Sequence, residues 1–158
     1  MGNLFVLPNT TAVVVYRGAI SGNVLFEELE DGVHITGRIT GLTHGDHGFH
    51  IHECGDLRDG CDSACDHYNP EETDHGGLEG GHAGDLGNIT ADANGIAVIN
   101  IFTDKFHLSN IVGRALIIHA DADDLGTGTN EASKKTGNSG KRIACEIIGI
   151  ASDQITDM

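Results

Sequence analysis

Between Val33 and Thr40 the chain alternates without a break: Val33, Ile35, Gly37 and Ile39 against His34, Thr36, Arg38 and Thr40. A period of two places one set on a buried face and the other in water, which is a strand and not a helix. The same reading extends to both sides. Residues 11–18 carry the run Val13-Val14-Val15-Tyr16, and residues 23–30 set Val24 and Phe26 among polar neighbours. Gly22, Asp31-Gly32 and Gly41 separate these runs as turns. Further strands are expected over 48–53, 86–93, 95–102, 114–119 and 143–151. Two of them join at Ala93-Asn94-Gly95, where Asn-Gly favours a tight hairpin. Segments 56–84 and 120–141 have little apolar periodicity, apart from a helical turn expected near 131–135. Polar loops of that length in a compact domain are usually functional. Eight short strands and two long loops predict an all-β sandwich or barrel.

A chain of 158 residues suits one domain spanning its whole length, with a short N-terminal extension over about 1–10. With no Trp, the core must be built from Val, Ile, Leu and Ala. Nine Lys and Arg against 24 Asp and Glu give a net charge of −15. That disfavours nucleic acid and anionic membrane surfaces as partners. No stretch reaches membrane-spanning length. The first basic residue is Arg17, so the charged start of a signal peptide is missing. Gly2 would suit myristoylation, but Val6 stands where Ser or Thr is wanted. Cytoplasmic residence is expected. Secretion is the alternative, in which case the sequons at Asn9 and Asn88 matter.

Histidine is abundant, with ten residues. His50 and His52 are two apart in an expected strand and so project together, with Phe49 and Ile51 directed into the core. Paired imidazoles on a rigid strand suit copper. His67, His75, His82 and Asp85 lie in or beside the first long loop, and three imidazoles with a carboxylate suit tetrahedral zinc. His119 ends an apolar strand, where a lone His is more often a satisfied core residue. The four cysteines, Cys54, Cys61, Cys65 and Cys145, allow three full pairings that spacing alone does not separate.

The stretches Gly48-Phe49-His50-Ile51-His52-Glu53, His67-Tyr68-Asn69-Pro70 and His82-Ala83-Gly84-Asp85-Leu86-Gly87-Asn88 resemble successive signatures of copper–zinc superoxide dismutases. So do His75-Gly76-Gly77, Gly113-Arg114-Ala115-Leu116-Ile117-Ile118-His119, Ala122-Asp123-Asp124-Leu125-Gly126 and Gly137-Asn138 followed by Lys141-Arg142-Ile143-Ala144-Cys145. The resemblance implies an eight-stranded Greek-key barrel of immunoglobulin-like architecture that disproportionates superoxide. It implies one copper per chain on His50, His52, His67 and His119, and one zinc on His67, His75, His82 and Asp85. His67 is then a shared imidazolate that also carries a proton, and Asp123 links His50 to His75. Arg142 resembles the family's cationic guide for the anion. Lys134, Lys135, Glu131 and Thr136 match its rim loop, and Cys61–Cys145 matches its intrasubunit disulfide. A homodimer through the segments 111–113 and 148–150 is also implied, as is a copper-delivery protein as partner.

Some residues depart from the family pattern. The step from His75 to His82 is short, Asp66 stands where Pro is common, and Ala132 replaces an acid. Cys54 and Cys65 are additional and are expected to remain thiols. Two other functions compete: a metal buffer or metallochaperone of the same fold, which usually lacks a copper ligand or the arginine, and a zinc hydrolase, which needs an open zinc position.

Overall fold

The computed structural model describes residues 11–152; the expected N-terminal extension lies outside the described residues. The strands are β1 (Thr11–Arg17), β2 (Ser21–Leu29), β3 (Gly32–Thr40), β4 (Gly45–His52), β5 (Arg58–Cys61), β6 (Asp85–Ala91), β7 (Ala97–Thr103), β8 (Ala115–His119), β9 (Arg142–Ile147) and β10 (Gly149–Ile150). All but β5 form one antiparallel sheet in the order β10-β1-β2-β3-β7-β6-β4-β8-β9. Only Ile148 separates β9 from β10. One stretch of chain therefore pairs with β8 at its start and with β1 at its end. The sheet wraps into a nearly closed barrel. The expected eighth strand is thus split in two at Ile148, which gives nine.

Alternation fills the barrel. Ala12, Val14 and Tyr16 of β1, Val24 and Phe26 of β2, and Val33, Ile35 and Ile39 of β3 are buried. Phe49 and Ile51 of β4 join the same core, and full burial of such side chains contributes about 1.5–3 kcal/mol each. After β3 the chain crosses to β4, which pairs with β6 and β8. The β6–β7 hairpin then returns β7 beside β3, and this is the Greek key. The hairpin turns where expected. Asp92 Oδ1 accepts from the N–H groups of Asn94 and Ile96, and Gly95 adopts φ +79°. A four-residue helix, α1 (Leu108–Ile111), was not foreseen, being too short to show a period.

The two long loops, 53–84 and 120–141, cover the outer face of β4. That is why His50 and His52, which point away from the core, are fully buried. Cys61 and Cys145 are bridged, tying the first loop to β9. The expectation of thiols at Cys54 and Cys65 is corrected: these two are bridged as well, and no free cysteine remains among the described residues. The physical reason is local. Glu53 N–H donates to Asp66 and Cys54 N–H to Ala64, so the loop returns antiparallel to itself and places the two Cα atoms 5.4 Å apart.

Candidate metal centre

Register assembles the site. His50 stands opposite Asp85 across β4 and β6, His52 pairs with His67 in an isolated bridge, and His119 stands opposite Arg142 across β8 and β9. Residues far apart in sequence are thereby fixed by backbone hydrogen bonds before any side chain interacts.

Two groups of ligand atoms result. In His50, His52, His67 and His119 the atoms lie within 4.8 Å of one another, and so do those of His50, His67, His75 and Asp85. His50 and His67 belong to both. His82 also converges on the second group, with Nδ1 3.1 Å from His67 Nδ1 and 3.3 Å from Asp85 Oδ1. His67 Nδ1 is itself 3.0 Å from Asp85 Oδ1. Zinc bonds of about 2.0–2.1 Å in a tetrahedron give ligand-to-ligand edges of about 3.3 Å, so these spacings fit zinc. The other oxygen, Asp85 Oδ2, accepts from the N–H groups of Gly76 and His82, which fixes the carboxylate.

Orphaned nitrogens provide the fit test for a metal pair. His50 Nδ1, His52 Nε2, His75 Nδ1 and His119 Nε2 are buried without a hydrogen-bond partner. His75 Nδ1 is 3.0 Å from Asp85 Oδ2 but is not aligned for a hydrogen bond. A buried unpaired polar atom costs about 1–3 kcal/mol, so four converging ones are the donor set of a cation rather than of a core. The second nitrogen of each ring is occupied. His50 Nε2 and His75 Nε2 donate to Asp123 at 2.6 and 2.7 Å, His52 Nδ1 to Cys65 O at 2.9 Å, and His119 Nδ1 to Gly140 O at 3.1 Å. These contacts set tautomer and ring orientation.

Electrostatics separates the two halves. Burial outweighs the Asp123 hydrogen bond at His50 and lowers it to about 3. Burial, with the neighbouring His67 and Arg142, lowers His52 to about 2. Burial lowers His119 to about 4. All three therefore present neutral lone pairs near pH 7. At His75 burial also pulls down, but the Asp123 and Asp85 carboxylates overcome it and raise the ring to about 9. Both carboxylates are held far below their ordinary range by these hydrogen bonds, despite burial.

A cleft of about 1070 Å³ opens on His52, His67 and His119 and is lined also by Arg142, Lys134, Lys135 and Thr136. Arg142 Nη1 donates to Cys61 O at 2.8 Å. Lys134 Nζ is tied to Gly126 O at 2.6 Å, and Thr136 Oγ1 donates to Ala132 O. Glu131 begins a 3-10 turn and does not line the cleft. Three further residues support the site unforeseen. Asn88 holds Asp123 through both backbone groups, accepting from its N–H at 2.7 Å and donating to its carbonyl at 3.0 Å. A Cβ on Gly137 would collide with Asp123 Oδ1 and His75 Nε2. Lys105 reaches in from beyond β7. Asn88 and Gly137 fall within two of the motifs quoted above, which are the signal for them; nothing local marks Lys105.

The sequence matches the family described as copper/zinc superoxide dismutase over residues 20–148. It is 48% identical over 157 residues to a superoxide dismutase [Cu-Zn] of Paramecium bursaria Chlorella virus 1, covering 96% of this chain and 84% of that one. Among solved structures it resembles the clock protein EA4, with TM-score 0.88 and 44% identity over 96% of this chain and 100% of that one. With the barrel, the shared histidine and the two converging ligand groups, these matches mean that the chain belongs to the copper–zinc superoxide dismutase family.

Proposed function

We propose that the protein disproportionates superoxide: two superoxide anions and two protons become dioxygen and hydrogen peroxide. The observation that carries the reading is that the two ligand groups meet at His67, whose Nδ1 lies 3.0 Å from Asp85 and 3.1 Å from His82 while its backbone is bridged to His52, so that one ring could serve two metals. His50, His52, His67 and His119 would hold copper, which would supply the one-electron redox chemistry that the reaction needs. His67, His75, His82 and Asp85 would hold zinc, which has no redox chemistry and would order the loop. His82 rather than His50 would complete that set, because the Nε2 of His50 is committed to Asp123, which leaves only its unpartnered Nδ1 to ligate copper.

The remaining work falls to side chains. His67 lines the cleft, where its ring can pass a proton to the departing product. Arg142 docks the anion: its guanidinium is charged at all relevant pH and is braced by Cys61 O. The cleft lining sets Arg114, Lys134, Lys135 and Arg142 against Glu53, Asp66, Glu72 and Asp74, a local balance on a molecule of charge −15. Arg114 stacks on Tyr68, 4.0 Å from the ring centroid, and Lys134 is bonded to the loop. Lys135 is then the rim cation best placed to assist Arg142.

Elemental analysis combined with a superoxide assay tests this reading. One copper and one zinc per chain are expected. Arg142→Ala is expected to retain both metals and lose about tenfold in rate, about 1.4 kcal/mol. Arg142→Glu is expected to lose more, and Arg142→Lys less. The parent rate should fall as salt rises, with a flatter dependence in Arg142→Ala. Full metal content without disproportionation would leave a metal buffer as the function.

We also propose a homodimer. Gly113 N–H donates to Ile148 O, bringing the two expected contact segments side by side, and Ile147 and Ile150 are exposed next to them. Ile150→Glu is expected to halve the mass seen by light scattering; an unchanged mass would place the contact elsewhere. No helix among the described residues is long and apolar enough to cross a membrane. For cytoplasmic residence, Cys54–Cys65 is the bridge most open to cellular thiols, since Cys65 is exposed. Delivery of copper by a partner protein fits a cleft that reaches His52 and His119 directly.

A further inference from the structure

The zinc-side loop contains four glycines in six positions, Gly76, Gly77, Gly80 and Gly81. Glycine loses more conformational freedom on ordering than any other residue, so this loop holds its own shape poorly. Leu78 and Glu79 are the only side chains between His75 and His82, and of these Leu78 alone packs against the core. Lys105 comes from the segment after β7, outside the loop. Its Nζ lies 2.8 Å from each of Gly80 O, His82 O and Asp85 O, and 3.2 Å from Gly77 O. Four backbone carbonyls thus converge on one ammonium. Two of them belong to His82 and Asp85, whose side chains converge at the site, and two to the glycine turn that precedes His82.

We propose that Lys105 is a positioning residue: a tethered cation that replaces loop packing and holds His82 and Asp85 in ligating geometry. The carbonyl dipoles of four residues would repel one another if gathered without a positive charge. An ammonium offers three N–H donors and a compact charge, and its four-carbon stem reaches the cage from a rigid strand end. The arrangement acts on the backbone behind the ligands. It therefore complements Asp123, which acts on the ring nitrogens of His50 and His75. The proposal rests on the assignment of His67, His75, His82 and Asp85 to zinc.

The test exchanges zinc between the fully loaded protein and a chromophoric chelator. Lys105→Met keeps the stem and removes charge and donors. It is expected to weaken zinc about tenfold or more, within the range of partners that orient metal ligands. Cobalt placed in the zinc site is expected to show altered tetrahedral bands, a change that a merely stabilising lysine would not produce. Lys105→Ala leaves the cage open, and ethylammonium chloride is expected to restore zinc affinity where sodium chloride of equal ionic strength does not. Should Lys105→Met fail to fold, Lys105→Gln, which keeps two N–H donors without the charge, is measured in its place. Parent-like zinc affinity with an unchanged cobalt spectrum overturns the role of Lys105, as does rescue by sodium equal to that by ethylammonium. A parent that takes up no zinc instead overturns the ligand assignment itself.

Discussion

The double variant Cys61→Ala/Cys145→Ala is expected to lose about 4–5 kcal/mol of stability, and Cys54→Ala/Cys65→Ala about 3 kcal/mol. The difference comes from the chain closed by each bridge, 84 residues of separation against 11. In the chain-entropy account, a longer closed loop removes more freedom from the unfolded state. Urea unfolding in the presence of chelator measures both, since bound metal would otherwise add its own stabilisation. A second readout separates the bridges further. Cys61 supplies the carbonyl that braces Arg142, so loss of Cys61–Cys145 should also lower the rate in fully metallated protein. Cys65 supplies the carbonyl that receives His52 Nδ1–H, so loss of Cys54–Cys65 should loosen copper instead. Equal destabilisation by the two pairs would falsify the entropic ranking. Graded thiol reduction should open Cys54–Cys65 first, because Cys65 is exposed while Cys61 and Cys145 are half-buried.

Asp123→Ala is expected to weaken zinc by about 100-fold, the upper end for partners that orient metal ligands. One carboxylate serves two rings, His50 Nε2 at 2.6 Å and His75 Nε2 at 2.7 Å, so its removal leaves two buried N–H groups unpaired. It also removes the charge that helps hold His75 at about 9. The sign of that effect can be worked out. A ring protonated below about pH 9 must shed its proton before it can bind zinc, so parent zinc affinity rises with pH up to that point. With Asp123 gone the ring loses its proton at lower pH, and the pH dependence should flatten even as affinity drops. Asp123→Asn should lie between, since one amide oxygen still accepts while the amide N–H group faces a donor. Gly137→Ala should resemble Asp123→Ala, because its Cβ would collide with both the carboxylate and the His75 ring that the carboxylate holds. Elemental analysis after dialysis against chelator at several pH values reads all four proteins. Retention of zinc by Asp123→Ala at parental affinity would sink the linking role.

Local rules made much of this legible in the sequence. The alternation in β3, the Asn94-Gly95 turn and the shared face of His50 and His52 depend on neighbours a few residues away, and each lies where the pattern puts it. The metal ligands were legible chiefly through ordered motifs, because their convergence is produced by strand register, as between His119 and Arg142. Three features were not legible, each for its own reason. The pairing of Cys54 with Cys65 depends on a loop doubling back through backbone hydrogen bonds. The split at Ile148 depends on one strand serving two neighbours. The cage around Lys105 is made of carbonyls, which every residue possesses, so no side-chain pattern announces it.

The strand that closes the barrel is synthesised after every other strand of it. Without residues 142–150, β1 and β8 each present an open edge, and His50, His52 and His119 stand on a sheet that cannot wrap. Open edges invite pairing with another chain. The same segment brings Arg142 and Cys145, so sealing the barrel, locking the first loop and arming the cleft all depend on one stretch of chain. For this architecture, a chain cut before residue 142 would therefore lose its guanidinium and its long-range bridge in the same stroke that exposes two strand edges to aggregation.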